Sequence, residues 1–180
     1  MTVGIVGWGH TKYGVLKEGV PELMKTVIEQ ALNSVDNGID PKEIDLLITS
    51  CVDNQFSNQH NTGTVALRYL GNPNCTAFRV EAACCSGTMA VYVAKRFIEA
   101  GYVRNALIVG FEKMTRLSTE TATSVLIRGG APEEIELGIT QPACYALMAQ
   151  VYMNSCLLYT SRAHETSLHL VCRLLLEKKK

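Results

Sequence analysis

Apolar and polar positions along this chain fall into short blocks that change period, and the changes mark alternating strands and helices. Residues 3–6 form a short apolar run between glycines and read as a strand. Residues 21–37 carry Leu23, Val27, Ala31, Leu32 and Val35 at helical spacing and end at Gly38, a usual helix C-terminal residue. Residues 46–52 read as the next strand, 62–70 as a helix closed by Gly71, and 76–80 as a third strand. Residues 86–100 form a helix stopped by Gly101, and 106–111 a fourth strand. The strands are apolar without alternation, the pattern of strands covered on both faces. Strand, helix, strand repetition of this kind predicts an α/β fold with a parallel-rich sheet and right-handed crossovers. The helix over 86–100 holds Met89, Ala90, Val91, Tyr92, Val93 and Ala94 in succession, so it is expected to lie buried between layers.

Composition narrows the picture modestly. The chain has 180 residues, enough for one domain, and 47% hydrophobic residues with no apolar run long enough to span a bilayer. A formal net charge of zero supplies no electrostatic attraction for nucleic acid or an anionic membrane surface. The opening Met1-Thr2-Val3-Gly4 has neither the basic nor the apolar region of a signal peptide, which predicts a cytoplasmic protein. Seven cysteines, an odd number without C-x-x-C spacing, favour neither a disulfide framework nor a zinc site. No metal is expected, and His10 and His60 read as loop residues. In a cytoplasmic chain the sequon Asn74-Cys75-Thr76 is a chance match.

Chemistry concentrates at Cys84-Cys85-Ser86-Gly87, where the strand over 76–80 passes into the helix over 86–100. The first turn of a helix leaves backbone N–H groups unpaired, equivalent to roughly half a positive charge. A thiolate there is stabilised, lowering the thiol pKa from its free value of about 8.5. Cys84 is therefore the candidate nucleophile, with its own N–H as a candidate oxyanion donor, while Cys85 is expected to point into the helix packing. The competing reading is a pair of ordinary buried cysteines, because free cysteine is among the most buried residue types. A second candidate site, a dinucleotide loop at Gly4-x-x-Gly7-x-Gly9, fails on geometry. Trp8 is bulky, and the next helix starts only near Pro21, so no helix N-terminus meets the pyrophosphate.

The segment Val80-Glu81-Ala82-Ala83-Cys84-Cys85-Ser86-Gly87 resembles the nucleophile motif of the thiolase superfamily, and most closely that of the sterol-carrier-protein-type and archaeal thiolases. Cys85 departs from the alanine or glycine usual at its position. Further resemblances run in order along the chain: residues 5–14 to the family's opening strand and loop, 110–115 to the segment after its fourth strand, and 141–149 to its loop-domain helix. The resemblance implies the N-terminal half of an α-β-α-β-α sandwich, with a core half over 1–111 and the start of a loop domain over 112–155. It also implies an acyl-CoA acyltransferase in which Cys84 forms an S-acyl enzyme, with a coenzyme A thioester as substrate and no bound cofactor. Met114 is similar to a loop residue near the family's acyl pocket. Homo-oligomers are usual in the family, and archaeal members associate with a synthase and a small OB-fold protein. Alternatives within reach are a hydroxymethylglutaryl-CoA synthase, a ketoacyl synthase or a non-catalytic scaffold subunit.

Residues 156–180 read differently. Cys156-Leu157-Leu158-Tyr159-Thr160-Ser161 is what the mosaic end of a transposase-type sequencing adapter encodes in one frame, and the residues after it continue that adapter into a terminal lysine run. The expectation is a non-native tail on a truncated reading frame. The activating histidine and second acid/base group that the family carries in its other half then have no counterpart, since His164 and His169 fall in that tail.

Overall fold

A computed structural model describes residues 2–155. The described chain forms two units, one ending at Gly129 and one beginning at Gly130.

The first unit is built on a parallel sheet of three strands in the order β2-β1-β3, with β1 Leu46–Ser50, β2 Thr76–Val80 and β3 Ala106–Gly110. All three run level, Leu46 pairing with Thr76 and Ala106, and Ser50 with Val80 and Gly110. The central strand is buried along its whole length, as its apolar start Leu46-Leu47-Ile48 suggests. Its one internal threonine, Thr49, is satisfied by the hydroxyl of Thr62 at 2.7 Å. Side chains alternate across the sheet. Leu47, Leu107 and Val109 face α1 (Val20–Asn33) and α3 (Thr62–Leu70), whereas Leu46, Ile48, Phe78 and Ile108 face α4 (Ser86–Glu99). The short α2 (Asn54–Ser57) follows β1, and α5 (Thr119–Leu126) follows β3. The second unit contains α6 (Pro132–Glu136) and α7 (Gln141–Ser155), the latter over the stretch that resembles a loop-domain helix.

The α/β class and the positions of β1, β2, β3, α3 and α4 agree with the sequence pattern, and four details differ. Residues 3–6 are not a strand; it is the chain just after them that lies against α1, where the N–H of Trp8 donates to Ser34 Oγ at 2.7 Å and that of His10 to Gln30 Oε1 at 2.8 Å. Gly7 and Gly9 allow this approach, because a Cβ would lie 2.6 Å from Ala31 O and 2.4 Å from Val27 O respectively. Helix α1 stops at Asn33 rather than residue 37, with Ser34 as its C-cap, and the chain then turns through Asn37 and Gly38, whose φ values of 66° and 70° are left-handed. Its most buried stripe is Val20, Met24 and Ile28, one position off the predicted face. Helix α4 is not enclosed: Ala90 and Ala94 meet the sheet, while Val91 and Tyr92 are exposed. Among the described residues only the sheet side of this helix is covered, so its all-round apolar text leaves one face bare.

Candidate active site

In a parallel sheet every strand ends at the same edge, so the loops over 51–61, 81–85 and 111–118 leave the fold together. Such edges are where open α/β sheets assemble sites. Two side chains tie the first and third of these loops together, and a third pairs with a residue of the second. Glu112, two residues past β3, accepts the N–H of Val52 at 2.8 Å. That bond draws the chain out of the ladder and ends β1 at Ser50 instead of Val52. Arg116 donates to the carbonyls of Gln55 at 2.9 Å and Phe56 at 3.3 Å. Arg79 on β2 pairs with Glu81 at 2.9 Å. One atom of each charged cluster stays unmatched, since Arg79 Nη1 and Glu112 Oε1 are buried without a hydrogen-bond partner.

Cys84 sits in the middle of a single 3-10 turn, Ala83–Cys85, between β2 and α4, and is exposed. The turn is tight because Ala83 holds φ at 48°, a left-handed value that a non-glycine residue adopts at a cost of about 1–2 kcal/mol. Ser86 braces it. Its hydroxyl accepts from the N–H of Ala82 at 2.8 Å and donates to the carbonyl of Ala83 at 2.6 Å, and the residue is 3% exposed. Cys85 is the helix N-cap and donates its N–H to Ala82 O at 3.0 Å. Contrary to expectation Cys85 is exposed, because the inward position at the start of the helix belongs to Ser86. Among the described residues the N–H of Cys84 has no backbone or side-chain acceptor. An exposed thiol with a free adjacent N–H can attack a carbonyl and hold the oxygen that turns anionic.

The other cysteines at and near the sheet lack this access. Burial, reinforced by the Glu112 carboxylate and opposed by Arg79, pushes the Cys51 thiol up to about 11. Burial and then Asp45 push Cys75 up to about 11. Burial likewise raises Glu112 above the usual carboxyl range, against the N–H groups of Val52, Lys113 and Asp53 that hold it down. His10 and His60 are exposed, and His10 stacks edge-on against Tyr13 with ring centroids 4.8 Å apart. Among the described residues no group of three or more His, Cys, Asp or Glu side chains could hold a metal ion. No helix among them is long and apolar enough to cross a membrane. Met114 is half-buried at the start of the turn Met114–Arg116. Sequence reasoning missed the roles of Glu112, Arg116 and Ser86. An acidic residue directly after an apolar strand was the available signal for the first.

The family model described as Thiolase, N-terminal domain, matches residues 3–164. The chain belongs to the thiolase family. Its three-stranded parallel sheet and flanking helices match the N-terminal half of the thiolase fold. An acetyl-CoA acetyltransferase of Methanocaldococcus jannaschii is 34% identical over 154 residues, which is 84% of this chain and 38% of that thiolase relative. A beta-ketoacyl-[acyl-carrier-protein] synthase III of Sulfurimonas denitrificans is 33% identical over 97 residues, 53% of this chain and 29% of the synthase. The crystal structure of the 3-oxoacyl-[acyl-carrier-protein] synthase III from Aquifex aeolicus VF5 superposes with a TM-score of 0.50 at 27% identity, covering 56% of this chain and 32% of that one. This thiolase chain thus spans well under half the length of the relatives it matches. The thiolase match runs past Cys156 into the adapter-like text, whose residues 156–180 lie outside the described part.

Proposed function

We propose that the chain is the N-terminal part of an acyl-CoA acyltransferase in which Cys84 is the nucleophile. The observation that carries this reading is an exposed thiol at a strained strand-to-helix turn, beside a backbone N–H without an acceptor. The Cys84 thiolate attacks the carbonyl carbon of an acyl-CoA thioester, and the carbonyl oxygen becomes an oxyanion facing the N–H of Cys84. The tetrahedral intermediate collapses with loss of the coenzyme A thiolate and leaves an S-acyl cysteine. Transfer of that acyl group to the α-carbanion of acetyl-CoA forms a 3-ketoacyl-CoA; in the cleavage direction the thiolate instead attacks the 3-keto carbon, the acetyl-CoA α-carbanion leaves and takes up a proton, and the S-acyl cysteine gives its acyl group to coenzyme A. The histidine base and the second acid/base group come from sequence beyond the described residues, so the isolated chain is inactive in turnover.

A ketoacyl synthase is the second reading, supported by the similarity to synthase III over 53% of the chain. It shares the S-acyl step and differs in the acceptor, an acyl carrier protein instead of coenzyme A. A non-catalytic scaffold role is the reading from a different class, and it requires no reactive thiol.

A site-resolved alkylation time course with iodoacetamide tests the nucleophile. Cys84 is expected to label faster than Cys85, Cys144, Cys51 and Cys75, with the last two slowest because their thiols ionise only near pH 11. Cys84→Ser removes the fast phase. The folded chain is expected to show no acetoacetyl-CoA cleavage. Labelling at Cys84 slower than at Cys85 refutes the assignment, and turnover by the chain alone refutes the need for a second half.

A further inference from the structure

We propose that Ser86 is a positioning residue: its side chain locks Ala83 in the left-handed conformation and thereby holds Cys84 exposed with its N–H free. The inference rests on Cys84 being the nucleophile. Three observations point to it. Ala83 has φ 48°, which an alanine leaves unless its surroundings hold it there. The Ser86 hydroxyl makes one bond on each side of that residue's φ torsion, accepting from Ala82 N–H and donating to Ala83 O. Ser86 is also buried, so water does not compete for either bond.

A serine at a helix start ordinarily caps forward, accepting from an N–H one turn into the helix. Ser86 instead reaches backward, out of α4 into the loop that carries Cys84. Its hydroxyl has one proton to give, and that proton is spent on Ala83 O. Ser86 therefore supplies no proton to a substrate, and its contribution runs through the backbone. Without the two bonds, Ala83 relaxes toward negative φ and rotates the following peptide, which carries the N–H of Cys84. A purely structural serine would give a different signature: its loss would lower stability and leave the relative reactivity of Cys84 and Cys85 unchanged. Glycine at residue 83 offers the discriminating test, because glycine occupies left-handed φ without strain and needs no clamp.

The experiment compares the full chain with Ser86→Ala and with the double variant Ala83→Gly/Ser86→Ala. Circular dichroism checks the fold, and alkylation of each cysteine is followed by mass spectrometry from neutral to mildly alkaline pH. Ser86→Ala is expected to slow Cys84 about tenfold while Cys144 keeps its rate, and the double variant is expected to recover most of the loss. A folded Ser86→Ala chain with the parent ratio of Cys84 to Cys85 labelling overturns the proposal. So does a folded double variant as slow as Ser86→Ala. If Ser86→Ala does not fold, the double variant decides: folded with fast Cys84 labelling supports the clamp, and any other result overturns it. Failure of the nucleophile reading is distinguishable, because it is seen in the unaltered chain as Cys84 labelling no faster than Cys85.

Discussion

Glu112 shows how much one side chain organises at the edge where the strands end. One carboxylate oxygen accepts the Val52 N–H, the other is buried without a partner, and burial raises the pKa of the group. A carboxyl whose pKa is higher folded than unfolded binds more protons when folded, so stability falls as pH rises from the unfolded value of about 4.3 through the folded one. Glutamine keeps a single carbonyl acceptor for Val52 and cannot ionise. We expect the stability gap between Glu112→Gln and the parent chain, read from urea midpoints across that interval, to move in favour of the variant as pH rises. A gap that is flat, or that moves toward the parent, means the carboxylate is better satisfied than its unmatched oxygen implies. Helix-start position and a motif singled out Cys84 in the sequence, and the structure places that residue exposed in the turn before α4. The roles of Ser86 and Glu112 were not legible, because their bonds depend on backbone directions that no sequence spacing encodes.

At the scale of elements, short runs rich in apolar residues placed β1, β2 and β3, but only β1 is buried along its whole length, whereas β2 carries Arg79 and an exposed Thr76. Residues 3–6 carry similar text without becoming a strand. Ile5 and Val6 stay exposed, and the two glycines that follow let residues 7–10 press against the backbone of α1, where Trp8 and His10 find side-chain acceptors. The same glycines that suggested a phosphate loop are used for close packing against a helix flank. Gly9→Ala places a methyl group where Val27 O now lies 2.4 Å away. It is expected to cost about 1–3 kcal/mol and to speed trypsin cleavage after Lys12, which is already exposed, by loosening the backbone around it. Unchanged stability and unchanged cleavage at Lys12 would show that the segment does not depend on this contact. The burial of α4 was over-read for a related reason: composition records that a helix has apolar faces, whereas the partner that covers each face is a property of the assembly.

Across the molecule, bare apolar surface is the dominant feature. Val91 and Tyr92 stand exposed on α4, and Tyr145, Leu147, Met148 and Val151 on α7. Surface of this kind drives association in water. Light scattering of the expressed chain at micromolar concentration is expected to show oligomers or aggregates, and a monodisperse monomer would count against this. The order of the strands adds a temporal dimension. β1 is the first strand to leave a ribosome and the last to be enclosed, because it lies between two strands made after it. β2 covers one of its edges, but the other stays open until Gly110 has been synthesised, several seconds later at about 5–20 residues per second. During that interval the nascent chain presents an unpaired apolar strand edge, the kind of edge that recruits foreign strands. The central strand of the finished sheet is thus the one most in need of protection while the protein is being made.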